Sequence, residues 1–172
     1  MVSALDAALK EGEQAGISAL VLRGEGRHFC AGFDLSHLEQ ETDDTLLARF
    51  VLIELMLQRL ARAPFATLAI GHGRVIGAGA DLFAACTYRA ILGDASFAFP
   101  GASGFGLVLG TRRLSGLVGN AVALDWTQTG RRVDADEALQ HSLATVQLAD
   151  DAALAGWIDA QTQPKRETHA AL

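Results

Sequence analysis

The chain has 172 residues, half of them hydrophobic and 20% charged, and its 14 basic and 20 acidic side chains give a formal net charge of −6. That length fits one domain with a sizeable core, and that apolar share excludes a disordered chain. The acidic balance argues against a nucleic-acid module, which needs a basic face; the pairs Arg112-Arg113 and Arg131-Arg132 read as solvated surface.

Taken in chain order, apolar residues at helical spacing predict a helix over 2–15, stopped by Gly16. A short buried strand follows over 17–22, then a turn over 23–27. The stretch 29–35 is apolar but broken by Gly32, so it reads as a strand end or a shaped loop. The broadest apolar stripe belongs to a helix over 46–60, closed by Pro64. Next come a strand over 67–71, a glycine-rich turn, and a small-residue helix over 80–86. Two strands, 88–92 and 96–99, flank a turn at Gly93-Asp94. Three helices over 111–117, 120–128 and 134–141 follow, with Asn120 and Asp134 as N-caps. A strand over 144–148 and a helix over 150–161, capped by Asp150, come last; 164–172 reads as linker or the start of a further helix. Short strands alternating with helices signal an α/β chain.

The two cysteines, Cys30 and Cys86, match no disulfide framework and no zinc spacing, and read as reduced and buried. No metal site is expected. No stretch approaches the ~18 apolar residues of a membrane span, and the N-terminus lacks a basic-then-apolar pattern. The expectation is a cytoplasmic protein without nucleic-acid or membrane partners.

Eighteen glycines, concentrated between Gly71 and Gly119, are the most informative feature. Gly71 and Gly73 open a dinucleotide fingerprint, but Ile76 stands where its third glycine belongs. A phosphate P-loop needs a lysine after its last glycine, and the chain's lysines are Lys10 and Lys165. Gly101-Ala102-Ser103-Gly104-Phe105 has the serine of a nucleophile elbow without the closing glycine. Gly77-Ala78-Gly79-Ala80-Asp81 fits better as a turn entering a helix, presenting backbone N–H groups to a ligand. An N–H from this turn and one from a second loop would form an oxyanion hole.

The second loop is Phe29-Cys30-Ala31-Gly32-Phe33-Asp34-Leu35. The stretch from Leu20 to Leu35 resembles the first signature of the enoyl-CoA hydratase/isomerase (crotonase) family. Gly73 to Leu82 resembles the second. Phe97-Ala98-Phe99-Pro100, Gly106-Leu107-Val108 and Arg113-Leu114 resemble the third. The resemblance implies a crotonase-like spiral of β-β-α turns and a bound acyl-CoA, with coenzyme A as part of the substrate and no separate cofactor. It also implies that the N–H groups of Phe33 and Ala78 polarise the thioester carbonyl. Asp81 becomes the candidate acid/base group. Ala31, Gly32, Asp34, Leu35, Gly77, Gly79, Pro100 and Gly101 become candidate contacts to substrate or CoA. Phe33, Phe99, Phe105 and Leu109 suggest an apolar acyl pocket.

The hydratases of this family use two glutamates. At the matching positions this chain has Asp81, one methylene shorter, and Gly101, which has no side chain. The stretch from Ser96 to Gly116 has no carboxylate to replace the second. Asp81 is therefore the lone acid/base candidate for enolate chemistry. The alternatives are a catalytically silent acyl-CoA binder and a serine hydrolase using Ser103; His28 and His72 are weaker candidates for other chemistry. The spiral core is expected over 1–148, without the family's opening strand pair. An incomplete C-terminal helical region follows over 149–172, so the fold is read as truncated at both ends. The resemblance also implies a homo-oligomer, a trimer or hexamer.

Overall fold

Four strands, β1 (Ala19–Arg23), β2 (Ala66–Ile76), β3 (Tyr88–Ala98) and β4 (Val146–Leu148), pair in chain order to make a parallel sheet. The structure, a computed structural model, describes residues 1–36, 38–106 and 109–162. The expectations for Leu107, Val108 and 164–172 lie outside the described residues. The helices are α1 (Val2–Ala15), α2 (Asp43–Ala61), α3 (Ala78–Ala85), α4 (Gly101–Phe105), α5 (Thr111–Val118), α6 (Asn120–Thr129), α7 (Ala135–Gln140) and α8 (Asp151–Thr162).

Helix termini follow local chemistry. Gly16, at φ 64°, ends α1. Thr42 caps α2 with a reciprocal pair of bonds to Thr45. Asp134 accepts from the Glu137 N–H at 2.8 Å, and Asp150 from the Ala153 N–H at 2.8 Å. Asn120, expected as a cap, is instead the first residue of α6. Gly119, at φ 84°, ends α5 and opens α6 at once, so no separate cap fits between them.

The two long strands correct the sequence reading. β2 was expected to stop at Gly71 but runs to Ile76. The two strands expected around Gly93-Asp94 are one strand, β3. The register passes from Gly71↔Ile91 to Gly73↔Ala95, so the extra residues of β3 bulge outward while its direction holds. A glycine at φ 66° next to an exposed aspartate signals a bulge as readily as a reversal. The bulge divides both strands. The first half of β2 pairs with β1, while its second half pairs with Cys30. The first half of β3 pairs with β4, and Phe97 in its second half pairs with Val133. This doubling of strand pairs along the chain is the expected β-β-α spiral.

Both faces are covered at β2 and β3, as their apolar runs require, while Val21 of the edge strand β1 stays exposed. The main core lies between the sheet and α2, α3, α5, α6 and α7 and includes Leu57, Leu60, Phe83, Phe97, Leu114 and Trp126. A smaller cluster of Ile70, Ala90, Leu148 and Leu154 seats α8 on the other face. Cys86 is buried, and burial pushes its thiol up to about 12, so it stays protonated. Cys30 is only half-buried, contrary to expectation, because its strand segment lies beside the cavity loop. Among the described residues no helix is long and apolar enough to cross a membrane.

Candidate active site

The site forms where two chain segments leave the upper half of the sheet. Phe29 and Cys30 are pinned to β2: the Phe29 N–H donates to His72 O at 2.9 Å, and the Ile76 N–H donates to Cys30 O at 3.0 Å. Beyond Cys30 the chain turns away at Gly32, whose φ is +106°. A Cβ on Gly32 would lie 2.9 Å from Ile76 O, so the loop backbone rests directly on the end of β2. β2 then turns at Gly77 into α3. The Gly77 N–H is tied to Ala98 O at 2.8 Å, and Gly77 O accepts the first helical bond from the Asp81 N–H at 2.9 Å. The two loops matched to the family signatures thus touch, backbone on backbone.

Between them opens a cavity of about 390 Å³. Of the residues singled out from sequence, Phe33, Ala78, Asp81, Ala31, Gly32, Leu35, Gly77, Pro100 and Gly101 line it, as do Phe99, Phe105 and Leu109. Gly79 and Asp34 do not. Gly79 lies beneath Cys30, where a Cβ would come within 2.6 Å of the Cys30 carbonyl, so it lets α3 approach the loop. Asp34 serves the loop itself: its carboxylate accepts from the Ser36 N–H at 2.9 Å. Among the described residues, the N–H groups of Phe33 and Ala78 have no acceptor. Ala78 opens α3, so its N–H also sits at the positive end of that helix.

Three rings wall the cavity. Phe33 stacks on Phe50 with centroids 4.9 Å apart, and Phe105 meets both edge-on at 5.6 and 5.2 Å. Behind Phe99 stands buried Trp126, stacked at 6.1 Å. Arg49 holds the Phe33 loop from α2. Its guanidinium lies 4.1 Å above the Phe33 ring and donates to Asp34 O at 3.1 Å, and it is ion-paired to Glu41.

Among the described residues lining this cavity, Asp81 carries the lone carboxylate. It is buried, and burial raises its pKa to about 7, a shift that nearby Arg113 opposes and Glu54 reinforces. The sequence reading gave neither Arg113 nor Glu54 a role in the site. Glu54 falls within the apolar stripe of α2, and Arg113, though part of the third signature, sits in a basic pair assigned to solvent. Instead the Arg113 Nη1 and Nη2 donate to the Glu54 Oε1 and Oε2 at 2.9 and 2.6 Å. The Arg113 guanidinium holds Glu54 below the usual carboxylate range.

Ser103 lies off the cavity wall, exposed, with its hydroxyl donating to Pro100 O at 3.1 Å. Among the described residues, no histidine or carboxylate is hydrogen-bonded to it. His28 accepts from the Arg74 N–H at 3.1 Å, and the His72 ring lies 3.3 Å from Ile70 O.

The sequence profile described as enoyl-CoA hydratase/isomerase matches residues 1–172. The chain belongs to the enoyl-CoA hydratase/isomerase family. A Bacillus subtilis protein named probable enoyl-CoA hydratase is 32% identical over 144 residues, covering 80% of this chain and 55% of the relative. An ethylmalonyl-CoA decarboxylase of Danio rerio is 33% identical over 131 residues, 73% of this chain and 42% of its own length. A Bordetella parapertussis structure carrying the enoyl-CoA hydratase/isomerase name superposes with a TM-score of 0.90 at 42% identity, covering 94% of this chain and 67% of that one. The Thermoplasma volcanium enoyl-CoA hydratase, at 23% identity and a TM-score of 0.87, shares the fold. The chain spans about half the length of the curated relatives it matches.

Proposed function

We propose that this protein binds an acyl-CoA thioester and moves a proton at the carbon beside its carbonyl, through an enolate held by the backbone N–H groups of Phe33 and Ala78. One observation carries this reading. Phe33 and Ala78, whose N–H groups have no acceptor among the described residues, line the same apolar cavity as one buried carboxylate. A thioester carbonyl gains negative charge when the neighbouring C–H bond breaks. Fixed N–H donors stabilise that charge without reorganising, and each is worth about 2.7–4 kcal/mol. Asp81 takes the proton and returns it to the same or a neighbouring carbon. Its raised pKa, about 7, suits both directions of transfer near neutral pH.

Two-carboxylate addition of water is disfavoured, because Gly101 lines the cavity where the resemblance implies a second glutamate. The apolar lining favours an acyl chain without charge. Assembly into a trimer or hexamer is proposed from the resemblance, and sedimentation velocity checks it.

The test is exchange of the α-hydrogens of a panel of acyl-CoA thioesters in deuterium oxide, followed by mass spectrometry. Exchange by the wild type, lost in Asp81→Asn with acyl-CoA binding retained, is expected. Binding without exchange in the wild type would instead support a silent acyl-CoA binder.

A further inference from the structure

We propose that Arg113, anchored by Glu54, is a positioning residue for Asp81, set beside the carboxylate at Gly110 to balance its charge in the cavity. The inference rests on the reading of Asp81 as the proton shuttle and adds two residues to that site. Two observations carry it.

The first is a close approach. Gly110 opens α5 with φ +68°. A Cβ there would lie 2.6 Å from Asp81 Oδ1 and 3.4 Å from Arg113 Nη2. Carboxylate and guanidinium therefore converge on one backbone position that has no side chain to separate them.

The second is the way Arg113 is held. Two parallel N–H···O bonds to Glu54 fix the plane of the guanidinium, a geometry that lysine does not reproduce. Gln58 Nε2 donates to Glu54 Oε1 at 3.1 Å and steadies the acceptor from the next turn of α2. α2 and α5 are thereby joined beside α3.

The charges around Asp81 can be named element by element. From α2 comes Glu54; Arg49 and Arg59, on the same helix, are bound to Glu41 and Asp6. From α5 comes Arg113, while Arg112 is exposed. β2 carries His72 and Arg74, and β3 carries Arg89 and Asp94; none of these is among the charges acting on Asp81. Arg89 is directed to the carbonyls of Leu143 and Cys86. Glu54 and Arg113 thus act on Asp81 in opposite senses: removing either one alone leaves the other uncompensated.

The experiment follows the carboxyl carbon of Asp81 by carbon-13 NMR in the full chain, its signal assigned by its loss in Asp81→Asn. In Glu54→Gln the midpoint of titration is expected to fall by about one pH unit, and in Arg113→Met to rise by about one. The double variant is expected near the wild type. Unchanged midpoints, or single variants that move in the same direction, would overturn the proposal. Should Arg113→Met fail to fold, the direction of the Glu54→Gln shift decides. Because the titration requires no turnover, it is separable from the exchange assay. Absence of exchange in the wild type together with opposed midpoints refutes the shuttle and leaves the positioning intact.

Discussion

Asp81 Oδ1 and Arg113 Nη2 approach the same point, where a side chain on Gly110 would sit, to 2.6 and 3.4 Å. A methyl group at Gly110 therefore forces the Asp81 carboxylate to move, and the φ of +68° adds strain for any L-residue. Gly110→Ala is expected to cost about 1–2 kcal/mol from the backbone alone. It should also displace the carboxylate and slow exchange. Denaturant unfolding and the exchange assay read the two effects.

Asp81 makes stability depend on pH with a definite sign. Its pKa is raised from 3.8 to about 7 in the folded chain, so between those values the native state holds a proton that the unfolded state has lost. Its stabilising contribution is complete below the unfolded value and is lost as pH rises through about 7. The loss amounts to a few kcal/mol, on the order of 4 at most. Asp81→Asn removes this dependence. The variant should unfold at a higher temperature than the wild type at pH 8, and the gap should close toward pH 4. Calorimetry across that range measures it.

Arg49 acts on the other donor loop. Replacing it with Met removes the charge above the Phe33 ring and the bond to Asp34 O. The half-buried ring stack, the single carbonyl bond and the partly exposed ion pair to Glu41 are each worth about 1 kcal/mol or less. Global stability should therefore change little, while the Phe33 N–H loses its fixed direction. The expected result is a roughly tenfold lower turnover with KM changed less, read by steady-state kinetics of exchange.

Phe105 limits the space available to the acyl chain. Phe105→Ala removes one ring of the trio formed with Phe33 and Phe50. Because a pocket change of a few methylenes is worth about 1–3 kcal/mol, we expect preference to shift toward longer or bulkier acyl groups by about tenfold or more. A chain-length series of saturated acyl-CoA thioesters measures this shift.

The parts of the site made by backbone were legible in the sequence, because glycine marks where main chain approaches main chain. Gly32 resting on Ile76 and Gly77 turning into α3 left that mark, whereas Gly79, read as a ligand contact, lies beneath Cys30 instead. The parts made by paired side chains were not. Glu54 and Arg113 are 59 positions apart, and neither is unusual on its own helix. Glu54 looks like an interruption of the apolar stripe, and Arg113 looks like half of a surface pair. Only the packing of α2 and α5 against α3 brings them to Asp81. The strand error had a similar cause. Gly93-Asp94 carries the composition of a turn, and the parallel pairing of β3 with β2 on both sides of it makes it a bulge.

The most direct test of the central claim is Ala78→Pro. Ala78 is the first residue of α3, a position where proline is tolerated, so the substitution deletes the N–H and spares the helix. With unfolding temperature and acyl-CoA binding close to the wild type, α-hydrogen exchange is expected to fall by about 10²–10³-fold. Exchange at the wild-type rate in a folded, ligand-binding Ala78→Pro protein would contradict the assignment of that N–H to the thioester oxygen.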